Sequence, residues 1–263
     1  FKIGFAGESS DEFVDYLKKN GVSLEDALTI GLLGKKETRY HLKYRSRIMF
    51  PIINQRNEII GFGGRSLSEE HVPKYLNSSQ SELFHKGENL YGIYQALPAI
   101  REKQKVILAE GYFDVIAFHR AGIFNAVAPL GTALTEQQVR FLKRYVNEVI
   151  VAFDSDSAGQ KAQIKALEFC LKLDIPSRLV IMSEGKDPDE ILMLENGKEL
   201  LQNAVNNSKD QFEFYIDQRF KNETEFLSNK NKALDSEGLF KIVEDLFEKI
   251  SMKSALMSYH KTN

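Results

Sequence analysis

Residues 147–159 read NEVIVAFDSDSAG, and the choice of fold turns on them. Val149, Ile150, Val151, Ala152 and Phe153 form a short, partly β-branched apolar run between polar residues, which predicts a buried strand rather than a surface helix. The run ends in Asp154, Ser155 and Asp156. If extended geometry persists through residue 156, both carboxylates lie on one face and Ser155 points the other way. The helical pattern SAGQKAQIKALEFCLKL follows at once, so the acids stand at the carboxyl end of a strand, where open α/β sheets place their ligands. Two readings stay open here: a metal site, or an Asp that only caps the following helix.

The same period extends outward from that strand. From residue 104 the chain alternates KVILA, YFDVIAFHRAG, FNAVA, TEQQVRFLKRY, EVIVAF, the long helix and SRLVIM. Strands alternating with helices predict an α/β fold with a doubly wound, mostly parallel sheet. Glu110 ends the first strand as Asp154 and Asp156 end the third, and Asp114 falls one helical turn beyond Glu110. After the fourth strand comes SEGKDPDEILM, in which Asp187 caps, Pro188 takes the first helical position and Glu190 closes a capping box. Asp189 fits the general preference for acids in a first turn.

Upstream, Ser10 is expected to cap a helix over 11–20, and Ser23 with Asp26 starts a second. Residues 35–47 hold six bases against the single acid Glu37, a candidate phosphate-attracting patch or a solvated charge run. Residues 48–53 and 58–62 predict a β-hairpin. GFGGRS reads as a tight turn whose glycines permit close approach, with Arg65 behind them. Lys74, Asn77 and Lys86 fall on expected loops. The segment 199–263 is helical in pattern, and its aromatics are expected to be core. This division gives an N-terminal α+β subdomain (1–103), a doubly wound domain (104–198) and a helical subdomain (199–263).

Composition narrows the function. A net charge of −2 over 263 residues does not announce a nucleic-acid partner, so any such surface must be local. No apolar run approaches the ~18 residues of a membrane span, and no membrane partner is expected. One cysteine, Cys170, excludes a Cys-rich zinc site within the chain, and the five histidines lack the pairing of a zinc set. Clustered carboxylates without His or Cys suit Mg2+ or Mn2+. Two such ions ~4 Å apart stabilise the attacking and leaving oxygens of phosphoryl transfer. Phosphoryl or nucleotidyl transfer is the reaction class these residues reach. A single-strand binding module is the non-enzyme alternative; it needs the basic patch but not the acids.

In order and spacing, EGYFD, APLGT, AFDSDSAG and GKDPDE resemble the Toprim signature of bacterial DnaG-type primases. IMFPI, GFGGR, PKYLNS and FHKG resemble the primase-specific motifs of the same family. The resemblance implies a Toprim sheet flanked by the two subdomains above, and an RNA primer polymerase using single-stranded DNA and ribonucleoside triphosphates. It implies Glu110, Asp154 and Asp156 as ligands of two Mg2+ or Mn2+ ions, with Asp114, Asp187 and Asp189 extending the acidic site. Arg45, Arg47, Arg65, Lys74, Asn77 and Lys86 are implied to contact template or nucleotide. It also implies a cytoplasmic place at the bacterial replication fork and a monomeric core. A zinc-binding module and a module for the replicative helicase are expected outside this chain, which starts at Phe1 and so reads as a fragment.

Overall fold

The structure is a computed structural model that describes residues 1–68, 73–131, 133–154, 156–182, 187–211 and 214. The first half comprises β1 (Gly4–Ala6), α1 (Ser10–Lys19), α2 (Leu24–Thr29), β2 (Leu33–Lys36), β3 (Arg39–Leu42), β4 (Arg47–Ile53), β5 (Ile59–Ser66) and β6 (Tyr75–Asn77). The cap of α1 lies one residue earlier than expected: Ser9 Oγ accepts from Glu12 N at 3.2 Å. The Ser10 hydroxyl accepts instead from Leu42 N at 3.1 Å and ties the helix to β3.

The second half comprises α3 (Ile93–Lys103), β7 (Lys105–Ala109), α4 (Tyr112–Arg120), β8 (Ala126–Val127), α5 (Glu136–Lys143), β9 (Glu148–Ala152), α6 (Ser157–Lys172), β10 (Ser177–Leu179), α7 (Pro188–Leu192), α8 (Gly197–Asn206) and β11 (Lys209–Asp210). Its sheet has the order β11-β10-β9-β7-β8, parallel throughout except for β11. From β7 the chain winds outward to β8, then returns across to β9 and winds the other way to β10. The reversal falls between β7 and β9, and doubly wound sheets bind ligands at that crevice.

Strand alternation builds two cores, one on each face of this sheet. Val106, Leu108, Val149 and Val151 join Ile93 and Ile100 of α3 and Ala166, Leu167 and Cys170 of α6. Burial pushes the Cys170 thiol up to about 12, as expected of an inert core cysteine. Ile107, Ala109, Ile150 and Ala152 face the other way and share a core with Phe50 and Ile52 of β4. The Phe50 ring stacks on Tyr112, centroids 4.9 Å apart. The antiparallel sheet β1-β4-β5-β6 is thus bonded to the parallel sheet by a common interior.

Several expectations need correction. GFGGRS is no turn but the body of β5, paired with β4 and β6. Its glycines are needed because large rings cross the strand: a Cβ on Gly63 would meet the Tyr112 ring, and one on Gly64 the Tyr44 ring. Asn77 lies in strand β6, not in a loop. Packing also runs across the expected boundaries at 103/104 and 198/199. Helix α3 covers the parallel sheet, Leu201 of α8 enters its second core, and β11 completes its edge. Phe214 is core as expected. Phe212, Tyr215, Phe220 and Phe240, with the rest of the expected helical subdomain beyond residue 214, lie outside the described residues.

Candidate active site at the carboxyl edge of the parallel sheet

Ala109 and Ala152 are register partners on adjacent strands, so the residues that follow them leave the sheet side by side. Glu110 Oε2 accepts from the backbone N–H of Asp154 at 3.1 Å. Gln163 of α6 donates to the carbonyls of Phe153 (3.0 Å) and Asp154 (3.3 Å) and fixes the end of the strand. Helix α6 approaches so closely that a Cβ on Gly159 would overlap the Asp154 carbonyl, which makes glycine obligatory there.

The two aspartates of DSD part company. The paired strand stops at Ala152, and the two carboxylates take different partners. Asp156 caps α6, accepting from Gly159 N at 2.7 Å, and is exposed. Asp154 is half-buried, and its Oδ1 is shut away from solvent with no donor among the described residues. Burial, followed by the charges of Glu110, Asp187, Asp156 and Glu190, pushes the Asp154 carboxyl up to about 6.

A cleft of about 560 Å³ opens at this edge, lined by Glu110, Asp114, Asp154, Asp187 and Asp189 on one side and by Arg65 on the other. Asp156 does not line it. Asp187 also caps, accepting from Glu190 N at 2.7 Å at the start of α7. Burial raises Asp189, with Asp187 adding to the rise and Arg120 and Arg65 opposing it. Asp114, third in α4, accepts from Gly111 N at 2.8 Å. Burial, reinforced by Asp154, Asp187 and Glu110, outweighs that bond and lifts Asp114 to about 8. Among the described residues no three His, Cys, Asp or Glu side chains are gathered closely enough to share an ion. Glu110 and Asp154 meet directly, through the bond from the Asp154 N–H to the Glu110 carboxylate.

The raised Asp114 has a measurable consequence. The folded state keeps its proton up to about 8 whereas the unfolded chain releases it near 3.8, so between those values folding binds protons and stability falls as pH rises. With chelator present, the melting temperature is expected to drop between about pH 7 and about pH 8. His119, whose pKa is lowered by burial, acts in the opposite sense, centred below that window where an unfolded imidazole titrates near 6.5. Asp114→Asn keeps the Gly111 acceptor and should flatten the slope; an unchanged slope would assign it to another group.

The basic residues sort into three groups. Arg65 faces the cleft, its Nη1 donating to the Tyr75 hydroxyl at 2.9 Å and its guanidinium lying 4.7 Å from the Phe113 ring centroid. Arg45 and Lys74 are exposed away from it, and Lys86 sits beside Lys43, whose pKa is lowered by burial and by that neighbouring charge. Arg47 corrects the expectation of a template or nucleotide contact: it is only 4% exposed. Its guanidinium donates to the carbonyls of Gly64 (3.3 Å), Lys74 (3.2 Å) and Pro73 (2.8 Å). Asn77 lines the cleft but is bound within the fold, donating to Leu130 O at 2.8 Å and accepting from Tyr112 Oη at 2.6 Å. Sequence reasoning missed Tyr75, Phe113 and Arg120 around the acids; the aromatics of EGYFD were the available signal.

A doubly wound sheet whose adjacent central strands end in acids, with an antiparallel sheet bringing an arginine to that edge, defines a Toprim-type α/β protein. The DNA primase catalytic core, N-terminal domain, family model matches residues 1–97, and the Toprim-like model matches residues 107–192. The DNA primase of Clostridium acetobutylicum is 34% identical over 248 residues, covering 94% of this chain and 40% of the relative. The zinc-binding and RNA polymerase domains of Aquifex aeolicus primase superpose with a TM-score of 0.78 at 37% identity, over 95% of this chain and 62% of that one. A DnaG primase catalytic domain bound to ssDNA gives 0.73 at 32% identity, over 95% of this chain and 82% of that one. The chain belongs to the bacterial DnaG-type primase family and corresponds to its catalytic core. It spans well under half the length of the Clostridium relative.

Proposed function

We propose that this chain carries out nucleotidyl transfer in a primase, joining ribonucleotides into short RNA primers on single-stranded DNA. The observation that carries the reading is the buried, partnerless Oδ1 of Asp154 beside Glu110 in a cleft that also holds Arg65. An oxygen-only donor set in which the charge of Glu110 helps to raise Asp154 fits Mg2+ or Mn2+ in kind. Glu110 and Asp154 would hold the first ion, and Asp156, whose Oδ1 caps α6, has only its second oxygen to offer. A bound divalent cation supplies Lewis acidity, lowering the pKa of a hydroxyl and stabilising charge on a departing phosphate.

The remaining roles belong to the chain itself. Arg65, stacked on Phe113 and tethered to Tyr75, offers a fixed fork to a triphosphate. Asp114 holds a proton near neutral pH, and Asp187 holds the start of α7 at the rim. Lys74, Lys86 and Arg45 extend the basic surface along which a template would lie. A replicative helicase and a zinc module would engage parts of the protein outside this chain. Among the described residues no helix is long and apolar enough to cross a membrane.

The test uses the full-length protein with single-stranded DNA and labelled ribonucleotides. Incorporation should require the template, stop with chelator and return with Mg2+ or Mn2+. Product formed without template, or cleavage of the DNA in place of synthesis, would overturn the reading.

A further inference from the structure

We propose that the outer face of α5, with the end of α3 beside it, is a second nucleic-acid contact. It would take the phosphodiester backbone of a single strand running on from the Lys86 loop. The proposal rests on the reading of the cleft given above. Helix α5 is fastened to that loop: Gln138 Nε2 donates to the carbonyls of Lys86 (2.9 Å) and Asn89 (2.7 Å), and Thr135 Oγ1 to that of Gly87 (2.5 Å). Arg144 lies six residues beyond Gln138, about 9 Å further along the helix direction. An open groove of about 920 Å³ passes Gln137, Phe141 and Arg144.

The cations on this face are not equivalent. Arg140 and Lys172 share Glu136, at 2.7 and 2.6 Å, and Lys143 donates to Leu173 O at 2.6 Å. Arg101 and Arg144 have no carboxylate partner among the described residues. Both lie over the ring of Tyr145, 5.5 and 5.7 Å from its centroid, and Arg144 lies 4.8 Å from that of Phe141. Tyr145 is itself held by its hydroxyl, which donates to Gln55 at 3.2 Å. Aromatic stacking orders a guanidinium while leaving N–H edges free, so little further entropy is lost when it grips an anion. Arg144 also donates its Nε–H to the Phe141 carbonyl at 3.4 Å, which leaves its terminal N–H groups to bind. Two ordered forks without a carboxylate partner around one ring suit the repeated charges of a nucleic-acid backbone. The guanidinia occupy the rings, which argues for phosphate contact over base stacking.

Arg101→Gln combined with Arg144→Gln in the full-length protein tests this. Binding is read by fluorescence anisotropy on oligothymidylates of about six and about sixteen nucleotides. The long probe should lose about tenfold in affinity at low salt, and its log–log salt slope should fall by roughly 1.4, the share of two phosphate contacts on a single strand. The short probe should bind as before. An unchanged affinity and slope on the long probe would overturn the proposal alone, as would an equal loss on both probes. Wild-type protein that binds neither probe would overturn the cleft reading and this one with it.

Discussion

Asp154→Asn in the full-length protein is expected to lower primer synthesis by about a thousandfold or more, the scale on which loss of a central charge-stabilising group acts. The same substitution should leave the metal-free fold at least as stable. Asp154 is a half-buried acid surrounded by Glu110, Asp187, Asp156 and Glu190, and its carboxyl is lifted to about 6 by burial first and by those charges next. An ionised Asp154 is therefore destabilising at neutral pH in protein stripped of metal by chelator. Removing the charge relieves that penalty by about 1 kcal/mol once solvent screening is allowed for. Activity and stability should move in opposite directions, which no simple misfolding can imitate. Asp156→Asn makes the matching control, because asparagine caps a helix as well as aspartate does. A synthesis defect much milder than that of Asp154→Asn would keep Asp156 a cap; an equal defect would mean that its second carboxylate oxygen takes part in the chemistry. Primer yield and thermal melting on the two variants read both outcomes.

Arg47→Met is expected to destabilise the protein by about 3 kcal/mol, because it removes three hydrogen bonds of one buried cation, although the Lys74 carbonyl keeps its bond from Ser66 N at 2.9 Å. The acceptors are the carbonyls of Gly64, Pro73 and Lys74, so the guanidinium is what holds the segment leading into β6 against β5. Arg47→Lys should recover little, since a single ammonium cannot reach all three with a planar fork. The denaturant midpoint measures the loss. A midpoint near wild type with weakened DNA binding would instead restore Arg47 to the nucleic-acid surface. Arg65→Ala provides the contrast: its partners are a tyrosine hydroxyl and aromatic faces, and its loss should leave stability close to wild type.

The sequence displayed its parallel sheet openly because each strand is an apolar run set between helices, and the acids at strand ends could be counted without knowing the fold. It also placed Glu110 beside Asp154, since both follow central strands. What it concealed is decided over long range or by competition. Asp154 and Asp156 look alike in sequence, and only the end of β9 at Ala152 and the cap on Gly159 separate them. Arg45 and Arg47 sit two residues apart, yet one is exposed and the other is enclosed by carbonyls up to 27 residues away. GFGGRS imitates a turn because nothing local announces the Tyr112 and Tyr44 rings that require its glycines. Helix α3 was obscured by Pro98 in its interior, a position that sequence rules treat as a stop. The strand β11 that crosses the expected C-terminal boundary was not legible because it is two residues long and carries no apolar pattern.

The interior shared by the two sheets has a consequence for how the chain is made. Phe50 and Ile52 leave the ribosome well before Tyr112 and Ile150, the residues that cover them. At bacterial elongation rates the intervening ~100 residues take roughly 5–20 s. For that time the antiparallel sheet presents an oily underside with nothing to close it. Nascent chains paused in this interval should be the ones that chaperones hold and proteases find.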